Sequence, residues 1–212
     1  MRHRYLTSLV HKRWIHPMPS SSSTYVSDAL VPWIDRLHAS IAANRQVQGA
    51  NFLQLATVDS QNKPHVRTVV FRGFHNSSSL IITADGRSSK VSQLQLTPSC
   101  EVVWWLPQNG EQYRLEGTID IIDDTDPTKQ DVRISAWQKL REEMRQQFFW
   151  PQPGATYTLN PVPVVTTCTP PSTFVLLLLN PSRVKYLRLY DSFSQVDEQD
   201  PMKTTWQLKR VH

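Results

Sequence analysis

The residues with the clearest capacity for chemistry lie in one short stretch, Thr83 to Lys90 of the segment ITADGRSSK. The stretch combines hydroxyl groups and basic side chains with the start of a helix that follows the end of a strand. The first backbone N–H groups of a helix have no partner within it and carry the positive end of its dipole, so this arrangement can bind a phosphate. Plain capping of the helix by its serines is the alternative interpretation.

A second stretch, Arg67 to Phe74 (RTVVFRGF), places two cations within a β-branched strand. Because side chains alternate along a strand, Arg67 points to one face and Arg72 to the other. A cation in such a strand is costly to bury without an anion, so at least one of them should meet a carboxylate or a ligand phosphate. Val69 and Phe71 share the face of Arg67, and Thr68 and Val70 share the face of Arg72.

Several elements are predicted to position these residues. Apolar spacing predicts helices from Ser27 to Arg45, with Ser27 or Asp28 as N-cap and Pro32 in the first turn, from Ser88 to Leu96, and from Asp126 to about Phe149. Alternating or β-branched runs predict strands at 52–58, 66–74, 80–83, 101–106, 112–122, 173–179, 184–190 and 204–209. Asn109-Gly110 predicts a hairpin turn, Asn180-Pro181 predicts a turn between two strands, and 156–171 reads as a loop. Neighbouring strands with helices to one side indicate an α+β protein built on an antiparallel sheet or barrel.

Composition excludes several classes of protein. The formal net charge of the 212 residues is +5, but Arg2, Arg4, Lys12 and Arg13 contribute four of these charges, so the remainder offers no basic groove for nucleic acid. Two distant cysteines and no Cys/His cluster indicate neither a metal site nor a disulfide framework. No apolar run is long enough to span a membrane or to serve as a secretory signal. Residues 1–26 are interpreted as a disordered leader before a domain at 27–212, which favours the cytoplasm, or an organelle if the leader is a transit peptide.

Taken in order, these motifs resemble a known family. The run LATVD (55–59), a turn with Pro64, R-x-V-V-x-R-G-F from Arg67 and T-x-D-G-R-S-S-K from Thr83 resemble the FMN site of the pyridoxamine 5'-phosphate oxidase-like superfamily. R-S-S-K (87–90) and W-P-Q-P-G (150–154) resemble a less characterised FMN-binding branch of it. The resemblance covers roughly residues 29–118 and implies an FMN-binding split β-barrel with flanking helices that works as a homodimer.

The resemblance also implies a role for individual residues. Arg67 and Lys90 would bind the FMN phosphate, with further contacts from Thr83, Ser88 and Ser89. Thr68, Val69, Val70 and Phe71 would line the isoalloxazine ring, and Arg72 stands where the oxidases have a lysine near flavin and substrate. Gln112 matches a glutamine that reaches the cofactor from the second subunit, which would place FMN at the dimer interface. A polar edge-strand residue is the alternative interpretation of Gln112.

The resemblance weakens where the oxidases bind their substrate. They use a Tyr, an Arg and a Ser spaced by four along a helix, and of Arg141, Arg145 and Phe149 only Arg145 matches. Arg183 matches the arginine of an Arg-x-His pair whose histidine is here Lys185. Arg145 and Arg183 are therefore candidate substrate contacts, with an exposed helix face and a turn cation as the alternatives. The resemblance implies a flavin-dependent oxidoreductase with a small, unidentified substrate; the alternatives are a non-catalytic flavin-binding or sensing protein and, in conflict with the phosphate motif, a haem-binding split barrel.

Overall fold

The computed structural model describes residues 32–157, 167–202 and 205–211. The predicted leader at 1–26 and the predicted N-caps Ser27 and Asp28 lie outside these residues. The first helix begins at Trp33, and Pro32 occupies its N-cap position instead of its first turn.

Four α-helices and eight strands make up the described fold. The helices are α1 (Trp33–Ala43), α2 (Ser89–Leu96), α3 (Gln130–Gln138) and α4 (Glu142–Gln146), with 3-10 turns at Pro127–Lys129 and Gln147–Phe149. The strands are β1 (Phe52–Val58), β2 (Pro64–His75), β3 (Ser79–Asp85), β4 (Ser99–Leu106), β5 (Glu111–Ile122), β6 (Phe174–Arg188), β7 (Phe193–Gln199) and β8 (Trp206–Val211).

Six of the strands close into an antiparallel barrel. The strand order is β3-β2-β1-β4-β5-β6, and β3 pairs back with β6, whereas β7 and β8 extend the sheet beyond β6. The long strand β6 both closes the barrel and extends the sheet, because its residues 174–179 pair with β3 and its residues 183–188 pair with β7. This architecture confirms the predicted α+β split barrel with flanking helices.

The barrel is split between β2 and β3. β2 pairs with β3 only between Phe71 and His75, whereas from Pro64 to Val70 it pairs with β1 alone among the described residues. The register between β2 and β3 also shifts between Phe71 and Phe74, next to Gly73 at φ 131°. One edge of β2 is therefore left without a strand partner over residues 64–70.

Apolar side chains fill the interior of the barrel. Alternate residues of the strands, including Leu55, Val69, Ile82 and Trp104, point inward and are buried. Because this interior is close-packed, a bound cofactor must lie on the outer surface. The helix α3 packs on the outside, where its buried face meets Phe174 and two leucines of β6.

The prediction of two strands around Asn180-Pro181 is wrong. The chain forms one strand, β6, with a register shift opposite Glu116 and Gly117. At Gly117 a Cβ atom would lie 2.1 Å from the carbonyl oxygen of Asn180, so only glycine allows this close approach. The Asn-Pro pair marks a bulge here, because Pro181 has no N–H to donate to a regular ladder.

The predicted helix from 126 to 149 is also wrong as a single element. α3 ends at Gln138, and the guanidinium of Arg145 donates hydrogen bonds to the carbonyls of Trp137 (3.1 Å) and Gln138 (2.8 Å). α4 therefore folds back, and Phe148 packs against the Trp137 ring at 5.7 Å between centroids. The spacing of apolar residues continues across the break between α3 and α4, and for this reason the sequence predicts a single helix.

The sequence patterns predict no strand at β7, and they place the last strand at 204–209 instead of 206–211. β7 carries polar residues on its buried face, and two of them anchor α1. Arg36 Nη2 donates to Gln195 Oε1 at 3.0 Å, and the Trp33 amide donates to Asp197 Oδ1 at 3.2 Å. Burial raises the pKa of the Asp197 carboxyl, and its hydrogen bonds oppose that rise.

The close approach at Gly117 gives a test of the bulge. Gly117→Ala should lower the free energy of unfolding by about 3 kcal/mol, because the new methyl group cannot coexist with the Asn180 carbonyl. Chemical denaturation measures this change. Thr118→Ala, at the next and exposed position, is the control and should cost less than about 1 kcal/mol. Equal effects of the two substitutions would show that the bulge does not depend on glycine.

Candidate functional site

Arg67 is held firmly by neutral groups. Its Cα lies opposite Leu55 of β1, and its Nη1 donates to the Leu55 carbonyl at 3.1 Å and to Thr57 Oγ1 at 2.6 Å. Its Nη2 donates to Gln93 Oε1 at 2.9 Å. Thr57 and Gln93 are buried and are hydrogen-bonded to each other at 2.6 Å. The guanidinium is thus fixed in position, and no acidic side chain of the described residues forms an ion pair with it.

The start of α2 lies beside this arginine. Ser88 is the N-cap residue, but its hydroxyl makes no capping hydrogen bond. Instead it donates to the Asp85 carbonyl at 2.7 Å and accepts from Lys90 Nζ at 2.9 Å. The alternative of plain capping is therefore wrong for Ser88. The Val91 amide donates to the Ser88 carbonyl at 2.9 Å, so among the described contacts only the amides of Ser89 and Lys90 are left for another acceptor. Ser89 is exposed at the same turn.

Lys90 and Arg67 are close enough to repel each other. Burial lowers the pKa of Lys90, repulsion by Arg67 lowers it further, and attraction by Asp85 partly opposes both effects. Burial also lowers the pKa of Arg67. Within the described ranges neither cation forms an ion pair with an acidic side chain. Two adjacent, partly desolvated cations of this kind are expected where an anion binds. We call Arg67, Lys90 and the α2 start the cradle.

Arg72 points to the other face of β2, as predicted, and forms a second centre of positive charge. Its Nε lies 3.4 Å from Thr83 Oγ1 on β3, and burial lowers its pKa. It lines a cavity of about 540 Å³ between these strands and α3. The walls of this cavity include Phe71, Phe74, Ile81, Ser135 and Lys139.

The segment from Thr68 to Val70 follows the split in the barrel. Thr68 is exposed and Val70 is half-buried, whereas the Val69 side chain is buried in the core. Val69 can therefore meet a ligand only through its main chain. Along this segment one edge of β2 has no strand partner, so its backbone groups can hydrogen-bond a planar ligand laid against them.

Gln112 lies away from the cradle within one protomer. β5 runs between β4 and β6, so the alternative of an edge-strand position for Gln112 is wrong. Its partners across the sheet are Trp105 and Leu187. Three strand spacings separate β5 from β2, which is about 14 Å at the usual distance between strands.

The two candidate substrate arginines do not join this group of residues. Arg145 caps the last carbonyls of α3 and lies over the Trp137 ring, with its Cζ 5.7 Å from the centroid. Arg183 pairs with Glu116 at 3.0 Å and with Glu198 at 3.6 Å. Contacts within the protein thus occupy both guanidinium groups, and neither cation is merely solvated.

Sequence reasoning missed Thr57, Gln93 and Lys139. Gln93 follows Lys90 by one helical turn and so shares its face of α2, and this spacing was the available signal. Lys139 carried no comparable signal, because the position of α3 against β2 depends on tertiary packing. Among the described residues no group of three His, Cys, Asp or Glu could hold a metal ion. No described helix is long and apolar enough to cross a bilayer.

The barrel and the cradle together define a class of protein, a split β-barrel with a cluster of cations at the start of a helix that is suited to an anionic ligand. A family profile for the pyridoxamine 5'-phosphate oxidase FMN-binding domain matches residues 30–123. The chain is 35% identical to pyridoxine/pyridoxamine 5'-phosphate oxidase 2 of Arabidopsis thaliana over 76% of this chain and 84% of that protein. It therefore belongs to the pyridoxamine 5'-phosphate oxidase-related family of FMN-binding proteins.

Solved structures agree with this assignment. A pyridoxamine 5'-phosphate oxidase-related, FMN-binding protein of Nostoc punctiforme is 32% identical, with a TM-score of 0.81 over 87% of this chain and 99% of that one. PhzG of Burkholderia lata, solved with tetrahydrophenazine-1-carboxylic acid, shares the fold at 17% identity and a TM-score of 0.69, over 87% of this chain and 98% of that one. FMN is the cofactor of the domain that this chain contains. The cradle fits its phosphate, because neither of its two cations forms an ion pair with an acid in the part of the chain that the structure describes.

Arg67→Ala should weaken FMN binding by about 2 kcal/mol or more, because it removes a charge-assisted hydrogen-bond donor from the cradle. Quenching of flavin fluorescence during a titration measures the dissociation constant. Arg141→Ala removes an exposed arginine elsewhere and should leave the affinity unchanged. An unchanged affinity in Arg67→Ala, with an unchanged melting temperature, would show that the phosphate binds elsewhere.

Proposed function

We propose that this protein is an FMN-dependent oxidoreductase that acts on a small substrate as a homodimer, with FMN bound where two subunits meet. The observation that carries the proposal is the cradle, where Arg67 is hydrogen-bonded to Gln93 of α2 and Lys90 lies one helical turn earlier, neither in an ion pair with a described acidic side chain, next to the unpaired edge of β2. A phosphate dianion would relieve the repulsion between these cations. The unpaired edge would hold a planar ring.

Each part of the cofactor has candidate partners. Arg67 and Lys90 would pair with the phosphate, the first amides of α2 would donate to it, and Ser88 and Ser89 would add hydroxyl contacts. The Thr83 hydroxyl lies instead 3.4 Å from Arg72 Nε, on the other face of β2. The main chain from Thr68 to Phe71 would bind the ring edge, since β3 leaves most of this segment unpaired. When bound, FMN supplies the redox chemistry, taking two electrons from a donor and passing them to an acceptor.

The cavity beside Arg72 is the proposed substrate site. Its volume of about 540 Å³ suits a small molecule, and its lining combines aromatic and aliphatic side chains with two basic residues and one acid, Asp131. Arg72 on β2 and Lys139, directly after α3, would attract an anionic group, while Phe71 and Phe74 would contact an apolar ring. The chain's role is to orient the donor and to exclude water, and no side chain is required to act as an acid or a base.

The outer face of the barrel supports a dimer. This face carries exposed apolar side chains on neighbouring strands, Phe52 (47% exposed), Val66 (67%) and Trp105 (40%). Apolar groups in this arrangement mark a surface that another molecule covers. Gln112 lies beside Trp105 on the same face, about 14 Å from β2 in its own protomer. A second copy would bring its Gln112 to the first copy's cofactor.

A non-catalytic flavin-binding protein is the second candidate. It is favoured by the internal contacts of Arg145 and Arg183, which leave neither arginine free for a substrate. Both candidates place FMN in the same cradle. They differ only in whether a donor can reach the ring.

Anaerobic absorption spectroscopy of the FMN-loaded protein tests catalysis. The candidate electron donors are pyridoxamine 5'-phosphate and a series of small aromatic acids. We expect at least one of them to bleach the flavin absorption band, and we expect the band to return when air is admitted. Free FMN with the same donors is the control. If dithionite bleaches the bound flavin but none of the donors does, the non-catalytic alternative is correct.

Mixed dimers test whether two subunits share each site. Arg67→Ala and Gln112→Ala dimers should each bind FMN weakly, but a heterodimer of the two variants should contain one intact site. Separation of heterodimers by two affinity tags, followed by FMN titration, should give one tight site per dimer. Heterodimers with no tight site would show that Arg67 and Gln112 act within the same protomer.

A further inference from the structure

Arg87 is the one basic residue of the R-S-S-K segment that binds an acid instead of facing the cradle. Its Nε donates to Asp85 Oδ1 at 3.0 Å, and its Nη2 donates to Asp85 Oδ2 at 2.6 Å. Nη2 also donates to the Trp150 carbonyl at 2.9 Å. This two-pronged pairing fixes the guanidinium with its charge directed at one carboxylate.

Asp85 occupies a sensitive position. Its carboxylate accepts a hydrogen bond from the Arg87 amide at 2.8 Å, and its carbonyl accepts from the Ser88 amide at 3.0 Å and from the Ser88 hydroxyl. The turn into α2 thus depends on Asp85. Yet a carboxylate this close to Lys90 would repel a phosphate bound there, since unit charges interact over several ångströms at a protein surface.

We propose that Arg87 is a positioning residue that neutralises Asp85, so that the cradle keeps its net positive charge for the FMN phosphate without Arg87 touching that phosphate. The inference rests on the proposed function of the cradle. Asp85 supplies the hydrogen bonds that shape the turn, and Arg87 cancels the charge that comes with them. The attraction between Asp85 and Lys90 shows that this charge acts at the cradle.

A double-mutant cycle in which the charges of Arg87 and Asp85 are removed separates this role from direct contact. Arg87→Ala leaves Asp85 unopposed and should weaken FMN binding about tenfold. Asp85→Asn keeps an oxygen acceptor for the Arg87 amide but removes the charge, so the double variant should bind FMN within about threefold of the wild type. Arg87→Lys keeps the charge and should also stay within about threefold. Riboflavin, which lacks the phosphate, should bind the wild type and every one of these variants equally.

The outcomes are distinct. Recovery in the double variant, together with unchanged riboflavin affinity, supports charge neutralisation. An unchanged FMN affinity in Arg87→Ala overturns the proposal. A lowered affinity that the added Asp85→Asn substitution does not restore also overturns it, because Arg87 would then contact the phosphate directly or support the fold. If Arg87→Ala does not fold, Asp85→Asn alone decides, since loss of FMN affinity in that variant contradicts the proposal. A wild-type chain that fails to bind FMN would instead refute the proposed function.

Discussion

Arg67 donates to Thr57 and Gln93 from within β2, and Lys90 lies beside it at the first turn of α2. Each cation has lost part of its hydration, and each repels the other, so the apo protein is less stable here than it would be with an acid in place. The surrounding core supplies the missing stability, because α2 buries Val91 and Leu94 against the barrel. Binding of a dianion would recover part of this cost, which ties cofactor affinity to the packing of α2.

The split in the barrel follows from the length of β6. This strand pairs with β3 over its first half and with β7 over its second, whereas β3 pairs with β2 only over residues 71–75 of β2. The bulge opposite Gly117 lets β6 keep its pairing with β5 along both halves. The same strand thus closes the barrel against β3 and carries β7, while within the described chain one edge of β2 stays without a strand partner over residues 64–70.

Sequence patterns predicted those parts of the fold that depend on local features, such as the alternation of side chains along a strand and the residues of a tight turn. Alternation in β2 placed Arg67 and Arg72 on opposite faces of the strand, and Asn109-Gly110 correctly marked a hairpin. The predictions failed where distant contacts decide the outcome. The β7 segment lacks an apolar alternation, because its buried residues Gln195 and Asp197 hydrogen-bond α1. Asn180-Pro181 predicts a turn because a local pattern does not include Gly117, the distant residue that packs against this bulge. Resemblance supplied the order of the cradle residues but not Gln93, which acts by supporting Arg67.

The cofactor and substrate sides of the site are built from different parts of the chain. The cradle and the split lie within the segment that the family profile matches, which ends before α3. The cavity wall opposite Arg72 comes from α3, where Ser135 and Lys139 stand. α3 is held by buried contacts of Arg133 with the carbonyls of Phe174 and Pro171, so its surface residues are not needed to keep it in place. Side chains facing the cavity can therefore change without disturbing the cradle, and a family with one cofactor site can accommodate different small molecules.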